Sequence, residues 1–98
     1  MNIISRNAIT AFTDKHQQSK SSFDTWYNLV KKSKFKNFNE VKALFRSADY
    51  FKGKVIFNIG GNNHRLIAKI RYQTGVLYIR HILTHAEYSK NKWKKDDP

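Results

Sequence analysis

Six residues in the second half of the chain carry side chains that could act together on one phosphate group. They are four cations, an imidazole and a phenol: Lys52, Lys54, Arg65, Arg80, His85 and Tyr88. Cleavage of an RNA phosphodiester needs a base for the 2′-hydroxyl proton, cations that stabilise the charged phosphate, and an acid for the leaving 5′-oxygen. Enzymes that use Mg²⁺ supply several carboxylates to bind it, whereas Glu87 is the only acid near these six residues. We therefore expect any such chemistry to need no metal and no cofactor.

Most of these residues also have a structural interpretation. Arg65 and Arg80 could be ordinary exposed strand residues, and Lys52 and Lys54 could do no more than keep the loop around Gly53 soluble. The residues alone therefore support a basic nucleic-acid-binding protein more strongly than they support a ribonuclease.

The remaining histidines and Trp93 are less informative. His81 and His85 are four residues apart, but they fall across the end of a strand rather than along a helix, so we expect no metal site there. His16 and His64 have no evident partners. Trp93 lies among lysines and could either stack on a base or pin the end of the chain to the core.

The charge of the chain favours a polyanionic partner. Nineteen lysines and arginines against seven acidic residues give a net charge of +12. Nine of the basic residues fall in residues 1–49 and ten in residues 50–98, so a detachable basic tail does not account for the excess. Because such an excess repels itself in a compact chain, nucleic acid is the expected partner. The plainer alternative is a basic protein that is merely soluble.

The composition also narrows the class of protein. There is no cysteine, which excludes disulfides and thiolate metal sites. No apolar run approaches the roughly 18 residues of a membrane span. Residues 1–13 lack the pattern of a signal peptide. We therefore expect a cytoplasmic protein with no membrane partner.

The first half of the chain predicts a short strand followed by helices. Residues 2–4 suit a brief strand, and Ser5 is placed to cap the helix that follows. Ser21 and Asp24 have the spacing of a capping box for a second helix, and Asn39 could cap a short third one. The second helix has the clearest amphipathic pattern, with apolar residues at helical spacing: Phe23, Trp26, Tyr27 and Val30.

The second half predicts three strands, at residues 55–59, 65–72 and 76–83. Glycine and asparagine at residues 60–63 predict the first connecting turn, because these residues accept the positive φ of tight hairpins. Residues 73–75 predict the second turn.

Side chains alternate between the two faces of a strand, which assigns the residues of the last two strands to faces. The second strand gives two sets: Leu66, Ala68 and Ile70 opposite Arg65, Ile67, Lys69 and Arg71. Strict alternation in the third strand also gives two sets: Leu77, Ile79 and His81 opposite Val76, Tyr78, Arg80 and Ile82. Adjacent antiparallel strands lie about 4.8 Å apart, so the six candidate residues could converge on one patch.

The order of elements, β-α-α-(α)-β-β-β, predicts an α+β fold in which the N-terminal helices pack on one face of a small antiparallel sheet. The other face would remain available for function. Residues 85–95 could form one helical turn or a frayed tail. A chain of 98 residues has room for one modest core, so residues 1–98 are expected to form a single domain.

Three segments in the second half form a long, ordered pattern: residues 55–68 (VIFNIGGNNHRLIA), 78–80 (YIR) and 84–88 (THAEY). This pattern resembles the HigB family of mRNA-interferase toxins, which belongs to the RelE superfamily. The resemblance extends over almost the whole chain, including residues 3–4 and 45–51. It implies a RelE-like fold.

The resemblance also implies a function and a set of partners. Toxins of this family enter the ribosomal A site, where ribosomal RNA surrounds them, and cut mRNA during translation. The nucleophile is the RNA's own 2′-hydroxyl, and a 2′,3′-cyclic phosphate remains. A cognate helix-turn-helix antitoxin binds and silences the toxin. Operator DNA would be bound only through the antitoxin complex, which represses the shared operon.

The resemblance assigns roles to the basic residues. Arg65 matches the arginine after the hairpin, which would protonate the leaving group or stabilise the phosphate. Arg80 matches the arginine of the last strand and would hold the scissile phosphate. Lys52 and Lys54 fall where the superfamily has basic residues, and they would stabilise the transition state. One of these lysines could act as the base if its cationic neighbours lowered its pKa.

The resemblance also covers the end of the pattern. His85 is the alternative base, because an unperturbed imidazole titrates near neutral pH. Tyr88 could stack on the RNA or orient it. Ser89 stands where relatives often have an acidic residue, so a carboxylate role does not carry over to that position. His64 also departs from the family pattern and could modulate the pH dependence.

Two other functions remain open. A non-catalytic basic module could bind RNA or the ribosome through charge alone. Its binding would weaken by about 0.7 log unit per log unit of salt for each phosphate contacted on a single strand. A DNA-binding repressor acting alone is less well supported, because no helix-turn-helix with a basic recognition helix is evident.

Overall fold

The computed structural model describes residues 1–61 and 63–95, which form a five-stranded sheet with helices packed against it. The strands and helices are, in chain order, β1 (Asn2–Ile4), α1 (Arg6–Lys15), α2 (Lys20–Lys32), α3 (Phe38–Leu44), β2 (Asp49–Phe51), β3 (Lys54–Ile59), β4 (His64–Arg71), β5 (Val76–Thr84) and α4 (His85–Ser89). Short 3₁₀-helices lie at Gln17–Ser19 and Lys92–Lys95. The predicted α+β class is confirmed. The predicted turn at residues 60–63 and the predicted domain extend to Asn62 and Pro98, which lie outside the described residues.

The strands lie in the order β1-β5-β4-β3-β2. Strands β2 to β5 form an antiparallel meander, but β1 pairs in parallel with β5, so the sheet is mixed rather than wholly antiparallel. A local pattern cannot show the direction of a partner that is distant in sequence. The sequence also does not predict β2, because Asp49 and Tyr50 are exposed and leave no alternating apolar pattern.

The main core lies between the sheet and α2, which confirms the predicted amphipathic helix. Large apolar side chains from both layers are buried there: Phe23, Trp26, Val30, Val55, Phe57, Leu66 and Leu77. The rings of Trp26 and Phe57 meet edge to face, with 5.3 Å between their centroids. Burial of each such side chain contributes roughly 1.5–3 kcal/mol. This packing fixes the helices on one face of β3, β4 and β5.

The starts of the first two helices only partly match the prediction. Ser5 is the N-cap residue of α1, as predicted, but its side chain makes no capping hydrogen bond, and its carbonyl accepts one from Ala8 N at 3.2 Å. Helix α2 begins at Lys20, so the capping box predicted from Ser21 and Asp24 is wrong. Asp24 instead forms a salt bridge with Lys20, one turn earlier, at 2.9 Å.

Helix α3 is capped by Asn37 rather than by the predicted Asn39. Asn37 Oδ1 accepts a hydrogen bond from Glu40 N at 3.1 Å, and Glu40 Oε1 accepts one from Lys36 N at 2.8 Å. A glutamate three residues after the cap makes such an exchange possible. Asn39 is followed at that spacing by Lys42, whose ammonium can only donate, and it donates to Ala48 O at 2.7 Å.

A β-bulge at Arg80 changes the faces predicted for the last strand. Ile67 pairs with His81, but the next residue of β4 pairs with Ile79, so Arg80 is an extra residue. An extra residue reverses the alternation of the side chains beyond it. His81 therefore lies on the sheet face away from the helices, and Ile82 packs against the main core, contrary to the prediction.

The sheet face away from the helices, called the outer face below, is partly covered by the end of the chain. The sequence prediction that this face stays open is therefore wrong for its centre. Trp93 is 3% exposed and packs there against Ile56 and Ile67. Three partly buried residues enclose this second cluster: Phe51, Leu83 and Tyr88. The interpretation of Trp93 as a residue that pins the end of the chain is confirmed.

Candidate functional site

Arg65 is the centre of the candidate site. It is the second residue of β4, lies on the outer face and is only 7% exposed. Its Nη1 donates to His64 O at 3.2 Å, its Nη2 lies 3.4 Å from His85 Nδ1, and its Cζ lies 5.0 Å from the centroid of the Tyr88 ring. Because a guanidinium only donates, a hydrogen bond to His85 requires Nδ1 as the acceptor. Three of the six predicted residues therefore meet here.

Helix α4 places His85 beside Arg65 through a capping box that joins its first turn to β5. Thr84 Oγ1 accepts from Glu87 N at 3.2 Å, while Glu87 Oε1 accepts from Thr84 N at 2.9 Å. The hydrogen bond from Thr84 N holds the pKa of the Glu87 carboxyl below its usual value. His85 N donates to Asn63 O at 3.0 Å, which ties the helix to the β3–β4 hairpin.

The capping box explains two residues of the THAEY segment that the sequence analysis left without a role. The signal for this role is in the sequence, because a threonine followed three residues later by a glutamate is the ordinary signature of a helix start. Thr84 and Glu87 are positioning residues for His85 and Tyr88.

Tyr88 is held between a cation and an aromatic ring. The Trp93 indole stacks on the Tyr88 ring at 5.2 Å between centroids and 10° between planes, and Trp93 Nε1 donates to Tyr88 O at 3.1 Å. The Arg65 guanidinium contacts the same Tyr88 ring. Burial of Trp93 against the sheet therefore fixes Tyr88, which in turn contributes a cation–π contact to Arg65.

The two candidate lysines differ sharply in exposure. Lys54 is the first residue of β3 and is 1% exposed, so its interpretation as a loop residue that aids solubility is wrong. Lys52 is exposed in the β2–β3 turn, and its Nζ lies 5.5 Å from the centroid of the Phe51 ring. Phe51 packs edge to face on Trp93 at 5.5 Å. Lys52 is thereby linked through two aromatic rings to the Tyr88 side of the site.

Arg80 lies in a different part of the outer face. It is exposed at the bulge of β5 and lines a depression of about 490 Å³ together with Lys69, Arg71 and Tyr78. Arg65 pairs with Leu83, three residues further along β5, which is about 10 Å at the usual rise of a strand. The structure therefore groups Arg80 with other cations rather than with the contacts of Arg65 described above.

His16 and His64 are partners, contrary to the sequence analysis. Their ring centroids lie 5.5 Å apart on the helix side of the sheet, and His64, 7% exposed, also contacts the rings of Phe12 and Phe23. Burial, and then the charge of His16, lowers the pKa of His64. This cluster lies directly behind Arg65, the next residue of β4.

Residues 1–61 and 63–95 contain neither a candidate metal cluster nor a helix suited to a membrane. No group of three or more histidine, aspartate or glutamate side chains is placed to bind a metal ion there. In the same residues, no helix has the length and apolar character needed to cross a lipid bilayer.

The chain matches a known family over most of its length. The family model of the HigB toxin, described as the RelE-like toxic component of a toxin–antitoxin system, matches residues 19–91. The chain belongs to the HigB toxin family. The resemblance seen in the three ordered segments is therefore confirmed.

Curated members of the HigB family cover nearly the whole chain. The mRNA interferase toxin HigB of Escherichia coli (strain K12) is 34% identical over 91 residues, 90% of this chain and 88% of that protein. The mRNA interferase HigB of Shigella flexneri has the same identity and coverage. The mRNA interferase HigB of Escherichia coli O6:H1 is 30% identical over 93 residues, 92% of this chain and 90% of that protein. All six candidate residues fall within the matched range 19–91, whereas Trp93 follows it.

Proposed function

We propose that this protein is an endoribonuclease toxin that cuts mRNA in the ribosomal A site during translation. The observation that carries the proposal is the position of Arg65, whose guanidinium contacts both His85 and Tyr88 on one sheet face. Relatives named mRNA interferase support this activity, and the net charge of +12 suits a polyanionic substrate surrounded by ribosomal RNA.

In the proposed reaction the RNA supplies its own nucleophile. A base takes the proton of the 2′-hydroxyl, the 2′-oxygen attacks the adjacent phosphorus, and the bond from phosphorus to the 5′-oxygen breaks. The products are a 2′,3′-cyclic phosphate and a 5′-hydroxyl, whose oxygen takes its proton from solvent.

Arg65 and His85 have complementary roles in this scheme. Arg65 stays charged in proteins and presents donors in a rigid plane, which favours stabilisation of the phosphate over proton donation. Its contact with His85 at 3.4 Å is long for a hydrogen bond, so a phosphate oxygen can replace the imidazole as its acceptor. Nδ1 of His85 then becomes available to the 2′-hydroxyl, which makes His85 the proposed base.

The other candidate residues bind or orient the RNA. Lys54 is nearly fully buried, and Asn58, four residues later in β3, is the residue paired with Arg65, so Lys54 adds positive potential to the outer face rather than a direct contact with the reacting phosphate. Lys52 and Arg80 are exposed and contact phosphates of the bound strand. Tyr88 orients the RNA beside Arg65.

The cations of the chain supply the charge that Mg²⁺ supplies in other nucleases, so the scheme needs no metal. Cleavage of mRNA by the purified protein on ribosomes is therefore expected to persist when EDTA removes the Mg²⁺ and polyamines in the buffer keep the ribosomes assembled. Cleavage that requires a divalent ion under these conditions would contradict the metal-free scheme.

The family description supports a partner of known type. We propose that residues 1–98 act as one domain in the cytoplasm, that a cognate helix-turn-helix antitoxin binds and silences it, and that operator DNA is bound only through that complex. Co-expression with the protein encoded beside this gene should abolish growth arrest. Arrest that persists despite formation of a complex would contradict the assignment.

The decisive experiment is a map of mRNA 5′ ends after brief expression. The wild-type chain should produce discrete new ends within reading frames, and Arg65→Ala should not. Arg46→Ala removes an exposed arginine in the α3–β2 connection and is the matched control, which should cut normally. Because Arg65 is buried, Arg65→Lys provides a milder variant, and the thermal midpoint of each variant shows whether it folds.

The net charge alone also fits a non-catalytic module that coats RNA. That function predicts growth arrest without new 5′ ends, and it predicts equal effects of Arg65→Ala and Arg46→Ala. Either result would overturn the enzyme proposal.

A further inference from the structure

A second group of side chains lies on the outer face, at the end away from Arg65. Tyr78 of β5 is paired on one side with Lys69 of β4 and on the other with Ile4 of β1. The residues of this group line one depression and are named here the Tyr78 patch: Ile4, Lys69, Arg71, Tyr78 and Arg80.

The Tyr78 patch combines exposed apolar surface with positive charge. Ile4, on the edge strand β1, is 41% exposed, and Tyr78, on the neighbouring strand β5, is 36% exposed. Three cations surround them, and among the described residues that line the depression none is acidic. An aromatic ring beside cations is the arrangement that binds single-stranded nucleic acid, because every base offers a face for stacking and every linkage carries a charge.

The position of the patch connects it to the candidate active site. Lys69 and Arg71 follow Arg65 in β4 by four and six positions. Because every second side chain of a strand points to the same face, all three lie on the outer face. Lys69 lies four positions after Arg65, which is about 13 Å at the usual rise of a strand. A strand of a few nucleotides spans this distance, passing beside the Trp93 cluster.

We propose that the Tyr78 patch binds the single-stranded RNA that flanks the cleaved linkage. One base stacks on the Tyr78 ring, and neighbouring phosphates contact Lys69, Arg71 and Arg80. This inference rests on the proposed function, because it takes the substrate to be RNA. It adds a binding subsite outside the Arg65, His85 and Tyr88 contacts.

The direct test is the affinity of the full-length protein for a short, fluorescein-labelled, single-stranded oligonucleotide, measured by anisotropy. The probe is fully 2′-O-methylated, so it has no 2′-hydroxyl nucleophile and cannot be cleaved. Tyr78→Ala is expected to weaken binding about 5- to 160-fold, the range of one lost base stack. Tyr78→Phe and Tyr78→Trp keep an aromatic face and should bind within about twofold of the wild type.

Tyr50→Ala is the matched control for the loss of an exposed tyrosine. Tyr50 is 54% exposed, and its ring contacts Phe38 of α3 on the helix side of the sheet. This variant should bind the probe as the wild type does. Thermal midpoints of all the variants show whether any loss of binding reflects a loss of folding, and Tyr78→Phe keeps the test informative if Tyr78→Ala unfolds.

The salt dependence separates stacking from charge. Lys69→Gln and Arg71→Gln should each lower the slope of log affinity against log salt by about 0.7, whereas Tyr78→Ala should leave the slope unchanged. A duplex RNA of the same length offers phosphates but no unstacked base. Its binding should therefore respond to the lysine and arginine variants and not to Tyr78→Ala.

Three results would overturn the inference. One is probe binding by Tyr78→Ala that equals the wild type. Another is a loss of binding affinity in Tyr78→Ala that is equal for the single-stranded probe and for the duplex RNA. The third is unchanged RNA binding together with a weaker complex with the antitoxin, which would make the patch a protein interface.

The outcome for the patch is separate from the outcome for the enzyme. If the wild type cuts mRNA and Tyr78→Ala binds the probe normally, the proposed function stands and the subsite does not. If Tyr78→Ala loses probe binding but the wild type makes no new mRNA ends, the subsite stands and the proposed catalytic activity does not.

Discussion

The two ends of the outer face differ in how their side chains are held. At one end Arg65 is buried, and it contacts His85 at the start of α4 and a tyrosine ring that is itself stacked on Trp93. At the other end Tyr78 and Arg80 are exposed. Groups that must meet a transition state need a fixed geometry, whereas a stacking platform tolerates many bases and needs only an accessible ring. The difference in packing therefore supports the proposed division between a site for chemistry at Arg65 and a site for binding at Tyr78.

The largest expected effect comes from the buried end. Arg65→Ala should reduce the rate of mRNA cleavage on translating ribosomes by about 10²–10³-fold, because it removes the donors nearest the reacting phosphate. Arg65→Lys should recover little of the rate, since an ammonium cannot reproduce the planar pair of donors. Single-turnover cleavage assays measure both. If Arg65→Ala cleaves mRNA at a rate within about twofold of the wild type, the Arg65 end of the outer face is not the catalytic end.

Trp93→Ala should test whether the buried end depends on the end of the chain. Loss of a buried tryptophan from a packed cluster typically costs about 3–5 kcal/mol of unfolding free energy, and here it also removes the ring that holds Tyr88. We expect lower stability in urea titrations and slower cleavage. Trp93→Phe keeps an aromatic ring but loses the Nε1 donor to Tyr88 O, so its effect should be smaller.

RNA binding at the Tyr78 patch, measured in Trp93→Phe, sharpens the comparison. Binding of the methylated single strand by Trp93→Phe should match that of the wild type, because Trp93 does not line the depression at Tyr78. An equal loss of binding and cleavage would show that the two ends act as one unit.

Removing the cap of α4 should have a moderate effect. Thr84→Ala removes the side-chain half of the capping box and should lower the free energy of unfolding by about 1 kcal/mol. It should also slow cleavage, because His85 follows the cap directly. Thr25→Ala is the control, since Thr25 lies exposed within α2 and its hydroxyl bonds back to Ser21 O. Equal loss of cleavage in the two variants would contradict the positioning role of Thr84.

The smallest expected effect is a pH dependence of stability that arises behind Arg65. Burial first, and then His16, lowers the pKa of His64 below its ordinary value of 6.5, so the unfolded chain binds a proton more readily than the folded chain. Stability should therefore fall as the pH drops below about 6.5 and level off below the folded pKa. Thermal midpoints between about pH 7.5 and about pH 5 measure this loss, and His64→Phe should reduce it. A midpoint that rises on acidification in the wild type but not in His64→Phe would contradict it.

Regular periodicity made much of the fold predictable. The amphipathic pattern of α2 and the alternation in β3 and β4 give the layers and place Arg65 and Lys69 on one face. The prediction failed where geometry depends on one residue or on a distant contact. Nothing in a local pattern marks the bulge at Arg80, and nothing in it shows that Trp93 crosses the sheet.

The candidate site divides in the same way. Residue types and the family resemblance selected Arg65, His85 and Tyr88, and the structure brings these three into contact. The same residue types, strand spacing and resemblance also predict Arg80 beside them, and the structure places it elsewhere on the outer face. The roles of Thr84 and Glu87 could have been found from their spacing, whereas no local pattern marks the burial of Lys54 at the start of β3.

The extra residue at Arg80 has a consequence for protein engineering. It divides β5 into two segments whose outward-facing positions follow different odd–even frames, with Tyr78 in the first and His81 and Leu83 in the second. A library that varies the first frame can therefore search for new nucleotide preferences without changing the side chains beside Arg65. Deleting Arg80 would merge the two frames into one regular alternation and leave Tyr78, His81 and Leu83 on the outer face.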